Sequence, residues 1–161
     1  MKKIVVFISH FDRKMQVERT LRSISKSKHT NYTIVFLDHN SSYDMSYLRD
    51  IYPEMIYFNE KKPANCWFSM IISDNKIMHW IIKNLNPEII ITQDAECYHI
   101  GDILMHANDT INEKNYISFG TFSANEPITF NSNFEKIIKD IAVNTNVGAW
   151  GTGVSAWYNH P

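Results

Sequence analysis

Ile89-Ile90-Ile91-Thr92-Gln93-Asp94-Ala95-Glu96 is the stretch that decides the fold. Three consecutive β-branched apolar residues predict a strand buried on both faces, the kind found inside a parallel sheet. The run then stops at an acidic step, Asp94-Ala95-Glu96. Two carboxylates two residues apart, at the carboxyl end of a buried strand, sit where open α/β sheets hold their ligands. Alternation along an extended segment sends both side chains to the same side. There they can share one divalent cation, Mn2+ or Mg2+, through hard oxygen ligands. The competing reading is an ordinary acidic turn after a strand, and this stretch alone does not separate the two.

Working outward, the same kind of run recurs. Ile4 to Ile8 predicts a first buried strand, closed by the polar loop Ser9-His10-Phe11-Asp12-Arg13. Val17, Leu21 and Ile24 then repeat at helical spacing. Tyr32 to Leu37 predicts a second strand, and the Asp, Asn and Ser cluster from Asp38 to Asp44 a turn. Asp44 is placed to cap a short helix through Leu48 and Ile51. Met55 to Phe58 predicts a short third strand near a sheet edge. A long helix is expected from about Phe68 to Leu85, with Ile71, Met78, Ile82 and Leu85 on its inner face. Asn86-Pro87 should end it, since proline restricts the residue before it. Asp102 is placed to cap a helix carrying Ile103, Leu104, Ala107 and Ile111 inward. Asn115 to Phe122 alternates as a strand, Phe134 to Ile141 reads as helix, and Asn144 to Pro161 has no clear period.

Alternation of strand and helix through the first two thirds argues an α/β fold, a mainly parallel central sheet flanked by helices. The 161 residues suit one domain, spanning 1–161. With 44% apolar and 20% charged residues the composition is globular. A net charge of −1 gives no basic footprint for nucleic acid, so none is expected as a partner. No apolar run reaches the length of a membrane span, and Ile4–Ile8 is too short for a signal peptide, so the expected location is cytoplasmic. Cys66 and Cys97 form no CxxC pair and are read as reduced thiols.

In a parallel sheet the loops after the first, second and fourth strands lie at one edge. That brings together Ser9, His10 and Arg13, then Asp38, Asn40 and Ser42, then Gln93, Asp94 and Glu96. The first loop has no glycine, so the GxGxxG route to pyrophosphate is closed, and no P-loop GK[ST] occurs. A diphosphate site here needs other positive charge, which a metal on Asp94 and Glu96 would supply, with Arg13 or Lys61 as helpers.

The layout resembles the family 2 inverting glycosyltransferases of the GT-A fold. The resemblance rests on the helix Arg13 to Ile24, the acidic turn Leu37 to Asp44, the loop Pro63-Ala64-Asn65 ahead of the long helix, and Asp94-Ala95-Glu96 in the place of the DXD metal motif. It covers roughly residues 2 to 122, and four motifs in order are moderately specific where each alone is weak. It implies a nucleotide-sugar donor, most often a UDP-sugar, and a glycan, protein or small-molecule acceptor. It also implies that Asp38 accepts from the base and that Ser9, His10 and Arg13 line the base and ribose pocket. Asn65 and Gln93 join the nucleotide-sugar contacts, Asp94 touches the ribose or a metal water, and Glu96 binds manganese or magnesium.

The departures are Glu96 for the motif's second aspartate and the lack of a match for the catalytic base, with no Asp or Glu between Asn144 and Pro161. The base is expected beyond Pro161, with the acceptor elements, or the chain is a non-catalytic nucleotide or nucleotide-sugar binding module. A nucleotidyltransferase is disfavoured because a glycine-rich loop would follow the first strand. Individual residues carry plainer readings as well: Arg13 as a solvated helix start, Asn65 as a cap, Cys97 and His99 as packing or loop residues, His79 and His106 as structural or surface, and Lys61 and Lys62 as a solvated pair. The aromatics Trp150, Trp157 and Tyr158 either stack on sugar rings, with His160 completing a metal site, or fill a core, and if that core is unfinished they remain partly unburied, with homo-oligomerisation the consequence.

Overall fold

A computed structural model describes residues 1–60, 67–95, 97, 99, 101–112, 116–119 and 154–158. The strands are β1 (Ile4–His10), β2 (Tyr32–Asp38), β3 (Ile56–Asn59), β4 (Ile89–Asp94), β5 (Tyr116–Phe119) and β6 (Val154–Tyr158). The helices are α1 (Lys14–Ile24), α2 (Leu48–Ile51), α3 (Trp67–Leu85) and α4 (Ile103–Thr110). One sheet runs β3-β2-β1-β4-β6-β5. Strands β3, β2, β1 and β4 are parallel. Strand β6 is antiparallel to both β4 and β5.

The apolar runs become strands because both faces of the sheet are covered. Ile4, Val6, Ile8, Ile34, Phe36, Ile89 and Ile91 share one core with Val17, Leu21 and Ile24 of α1 and Leu104 and Ala107 of α4. Val5, Phe7, Val35, Leu37 and Ile90 share the other with Ile81 of α3. Alternation along each strand assigns successive residues to opposite cores. Burying each such side chain contributes about 1.5–3 kcal/mol.

Several local signals act as expected. Asp102 caps α4, its carboxylate accepting from the Met105 N–H at 3.1 Å. Asn86 ends α3 in the left-handed region at φ 42°, with Pro87 behind it. Strand β3 is short and lies at the sheet edge.

Three expectations need correction. Asp44 does not cap α2, whose N-cap is Tyr47 without a side-chain bond. Its carboxylate instead takes the Ser46 N–H and hydroxyl, both at 2.8 Å, closing a turn ahead of the helix. On α3, Ile71 is 49% and Ile82 41% exposed, while Ile81 is fully buried. The helix is apolar around much of its girth, so its inner face is rotated towards Ile77, Ile81 and Leu85. The tail without a period contains β6, paired from Gln93↔Val154 to Ile89↔Tyr158. The expected helix 134–141 and the ends of the fifth strand, 115 and 120–122, fall outside the described residues, as do Trp150 and His160. Among the described residues, no helix is long and apolar enough to cross a membrane.

Candidate functional site at the carboxyl edge of the sheet

Register brings the sequence-predicted residues to one edge. His10 pairs with Asp38 across β1 and β2, and Ser9 pairs with Asp94 across β1 and β4. The pleat then sorts them. Ser9 and Asp94 continue the rows that face α3, whereas His10, Asp38 and Gln93 continue the rows that face α1 and α4. Asn65 and Glu96 lie outside the described residues.

Asp38 is 1% exposed and its carboxylate is surrounded by donors. Oδ1 accepts from the Ser41 N–H at 3.0 Å and the Ser41 hydroxyl at 2.6 Å. Oδ2 accepts from the Tyr57 hydroxyl at 3.2 Å and from Asn59 Nδ2 at 3.4 Å. A buried carboxylate needs such partners to be tolerated. Burial pushes the Tyr57 hydroxyl up to about 12, with the Asp38 charge adding to the rise, so it stays a donor.

The same serine ties two loops together. Ser41 Oγ accepts from the Asp12 N–H at 3.0 Å, and Asp12 accepts from the Ser42 N–H and hydroxyl at 2.7 and 2.9 Å. The His39 N–H donates to the His10 carbonyl at 2.9 Å. Asp12 and Asn40 sit at φ 49° and 62°, left-handed conformations that Asn and Asp accept more readily than other side chains. The two loops therefore form one unit at the mouth of the sheet.

His10 lies under that unit, 2% exposed and with its ring 5.6 Å from that of Phe36 and 6.3 Å from that of Tyr43. Burial pushes its imidazole down to about 4, against the pull of Asp38 and Asp12. Its Nε2 faces the Arg13 N–H at 3.5 Å, and its buried Nδ1 has no hydrogen-bond partner among the described residues. Arg13 itself is exposed at the N-cap of α1 and makes no side-chain cap bond.

The segment after β4 is anchored to α1. The Thr20 hydroxyl donates to the Ala95 carbonyl at 2.7 Å, and the His99 N–H donates to Ser23 Oγ at 2.8 Å. Gln93 turns inward to the same side: its amide nitrogen donates to the Cys97 carbonyl at 3.0 Å, and its Oε1 accepts from His99 Nε2 at 2.6 Å. Burial holds the His99 imidazole down to about 4. Gln93 and His99 thus brace the segment that carries Asp94, and His99 and Cys97 are packing residues.

On the other face, Asp94 is exposed and opens onto a cavity of about 480 Å³. Ser9, Phe7 and Thr92 of the sheet line it, facing Ile71, Asp74, Asn75, Met78, His79 and Ile82 of α3. That volume is in the range of small-molecule pockets. Asp74, Asn75 and His79 were not selected by sequence reasoning. The available signal was a polar Asn75 inside the 71-78-82 stripe, which faces the cavity instead of the core. Among the described residues, no group of three His, Cys, Asp or Glu side chains could hold a metal. Asp94 alone offers one hard oxygen donor group, which suits Mg2+ or Mn2+ when waters and phosphates complete the shell.

The sheet topology, with the carboxyl ends of β1, β2 and β4 at one edge, is that of the nucleotide-diphospho-sugar transferase fold of GT-A type. Among solved structures, the mannosyltransferase PcManGT from Pyrobaculum calidifontis, in complex with GDP-Man and Mn2+, superposes with a TM-score of 0.64 at 12% identity, over 98% of this chain and 44% of that one. S. aureus TarS 1-349 superposes at 0.54 with 13% identity, over 66% of this chain and 31% of that one. A 4-diphosphocytidyl-2C-methyl-D-erythritol synthase superposes at 0.58 with 10% identity, over 98% of this chain and 76% of that one. The chain therefore spans less than half of either glycosyltransferase. No family model matches the sequence, and no curated protein matches it.

Proposed function

We propose that this chain binds a nucleotide-diphosphate sugar, a UDP-sugar, across the carboxyl edge of β1, β2 and β4, and serves as the donor-binding part of a family 2 inverting glycosyltransferase. The observation that carries the reading is the pairing of Ser9 with Asp94 beside the pairing of His10 with Asp38, which brings three polar loops to one edge of the sheet. Structures of the same fold that hold UDP, UDP-GlcNAc and GDP-Man support it.

In this reading the β1 and β2 loops, with Ser9, His10, Arg13 and the Asp38 turn, form the nucleoside end. Asp38 shapes that end through its bonds to Ser41 and Tyr57. Asp94 and Glu96 hold Mn2+ or Mg2+, with Asn65 and Gln93 at the edges of the donor. A cation held there would supply positive charge against the diphosphate and make it a better leaving group. In transfer, the acceptor oxygen forms a bond to the anomeric carbon as the bond to the diphosphate breaks. The acceptor proton goes to a base for which the sequence offers no motif match. That missing role favours a second reading, a non-catalytic nucleotide-sugar binding module using the same edge. The cytidyl synthase shares the fold, but the glycine-free loop Ser9 to Arg13 argues against a nucleotidyl transfer here.

The test is calorimetric titration of UDP with and without manganese on the wild type, Asp94→Ala and Glu96→Ala. Manganese-dependent binding lost in both variants is the expected result. A folded wild type that binds in neither condition overturns the donor site. Binding without sugar transfer to any acceptor selects the module.

A further inference from the structure

We infer that Asp74 is a specificity-determining residue of this site, held in place by His39, and that it accepts hydrogen bonds from hydroxyl groups of a sugar ring. This rests on the donor-site reading above.

Asp74 stands on α3, across the cavity from the sheet residues Ser9 and Asp94 that sequence reasoning selected. Its side chain is 30% exposed and lines the cavity shared with Ser9 and Asp94. One of its oxygens is already taken: Oδ1 lies 3.1 Å from Nε2 of His39. A carboxylate only accepts, so Nε2 carries the proton in that bond. His39 is 1% exposed, and it follows β2 directly, with its N–H bonded to the His10 carbonyl at 2.9 Å. Continuing the β2 alternation, Leu37 and His39 face α3 while Asp38 faces the other core. The imidazole is therefore fixed at its backbone and spans from the sheet to the helix.

Such a bond does two things. It selects one rotamer of Asp74, and it leaves Oδ2 as an acceptor with no partner among the described residues. A preorganised acceptor beside apolar Phe7 and Met78 suits a sugar ring, which offers hydroxyls at its rim and C–H bonds on its face. It does not suit a phosphate oxygen, which has no hydrogen to give and would meet the negative charge of Asp74 itself. Two parts of a donor carry such hydroxyls, the ribose and the transferred hexose.

Two ligand comparisons, by calorimetry in manganese, separate these sources. UDP against 2′-deoxy-UDP reads the ribose, and UDP-GlcNAc against UDP reads the hexose. In the wild type one of these pairs differs in affinity by about ten-fold, the scale of one charge-assisted hydrogen bond. In Asp74→Asn that difference shrinks to about two-fold or less. His39→Ala shrinks the same difference, and His39→Gln, which retains an N–H donor, recovers part of it. A general loss of structure would weaken both members of a pair alike. If Asp74→Asn does not fold, Asp74→Ser and the His39 pair carry the test. Differences that survive in all these variants overturn the role of Asp74 while leaving the donor site intact. A wild type that binds none of the ligands overturns both.

Discussion

Replacing Asp38 separates a residue that builds the site from one that only touches a ligand. Asp38→Ala removes the acceptor for the Ser41 N–H and hydroxyl and for Tyr57, at 3.0, 2.6 and 3.2 Å, while the 3.4 Å contact with Asn59 is long enough to count for little. Hydrogen bonds to a charged group contribute about 1.5–3 kcal/mol each, and less where water can reach the partner left behind. Ser41 and Tyr57 are both half-buried, so water recovers part of the loss. The expected destabilisation is about 3 kcal/mol for Asp38→Ala and about half that for Asp38→Asn, which keeps Oδ1 as an acceptor. Tyr57→Phe should cost about 1 kcal/mol alone and almost nothing in the Asp38→Ala background. Urea unfolding of the wild type and these four variants reads these numbers. A loss below about 1 kcal/mol in Asp38→Ala, or full additivity with Tyr57→Phe, refutes the view that this carboxylate organises the loop.

Acid should weaken the protein through two buried imidazoles. His10 and His99 are held near 4 when folded and return to about 6.5 when unfolded, so the unfolded chain binds more protons in between. Their contribution is complete above pH 6.5 and is lost as pH falls towards 4, by about 2 kcal/mol for the pair between pH 7 and 5 after discounting solvent screening. A urea midpoint that stays flat over that interval contradicts it. Thr20→Val keeps the shape of α1 but leaves the Ala95 carbonyl without its 2.7 Å donor, at a cost of about 1–2 kcal/mol. Exchange of the Cys97 and His99 amides should then accelerate ahead of the β1 core, and unchanged exchange there argues against the anchor.

The parts of the fold that sequence revealed are those where local chemistry and tertiary demand agree. Ile89-Ile90-Ile91 is buried on both sides because a parallel sheet requires it, and Asp102 caps α4 because its partner is three residues away. Asp44 shows the limit of this reasoning: a good capping residue met a nearer donor in Ser46. α3 offered two apolar stripes, and only packing against Val35, Leu37 and Ile90 selected the one containing Ile81. Strand β6 was illegible because its pairing partner is β4, far away in the chain, and its own residues give no signal beyond a short alternation. The site edge was legible from topology. Its division between two faces follows from strand parity, but the cavity wall on α3 depends on how the helix is rotated, which the sequence left open.

The strand order also constrains how this molecule is made. During synthesis β3, β2, β1 and β4 emerge before β6 and can pair at once, but the outer edge of β4 stays open until Val154–Tyr158 leaves the ribosome. Strand β5 is made earlier, yet among the described residues its neighbour in the sheet is β6, which is made later. An open, apolar strand edge recruits other chains. The nascent half-sheet, with its isoleucine-rich β4 at the border, presents such an edge, which pairing with β6 covers in the finished sheet.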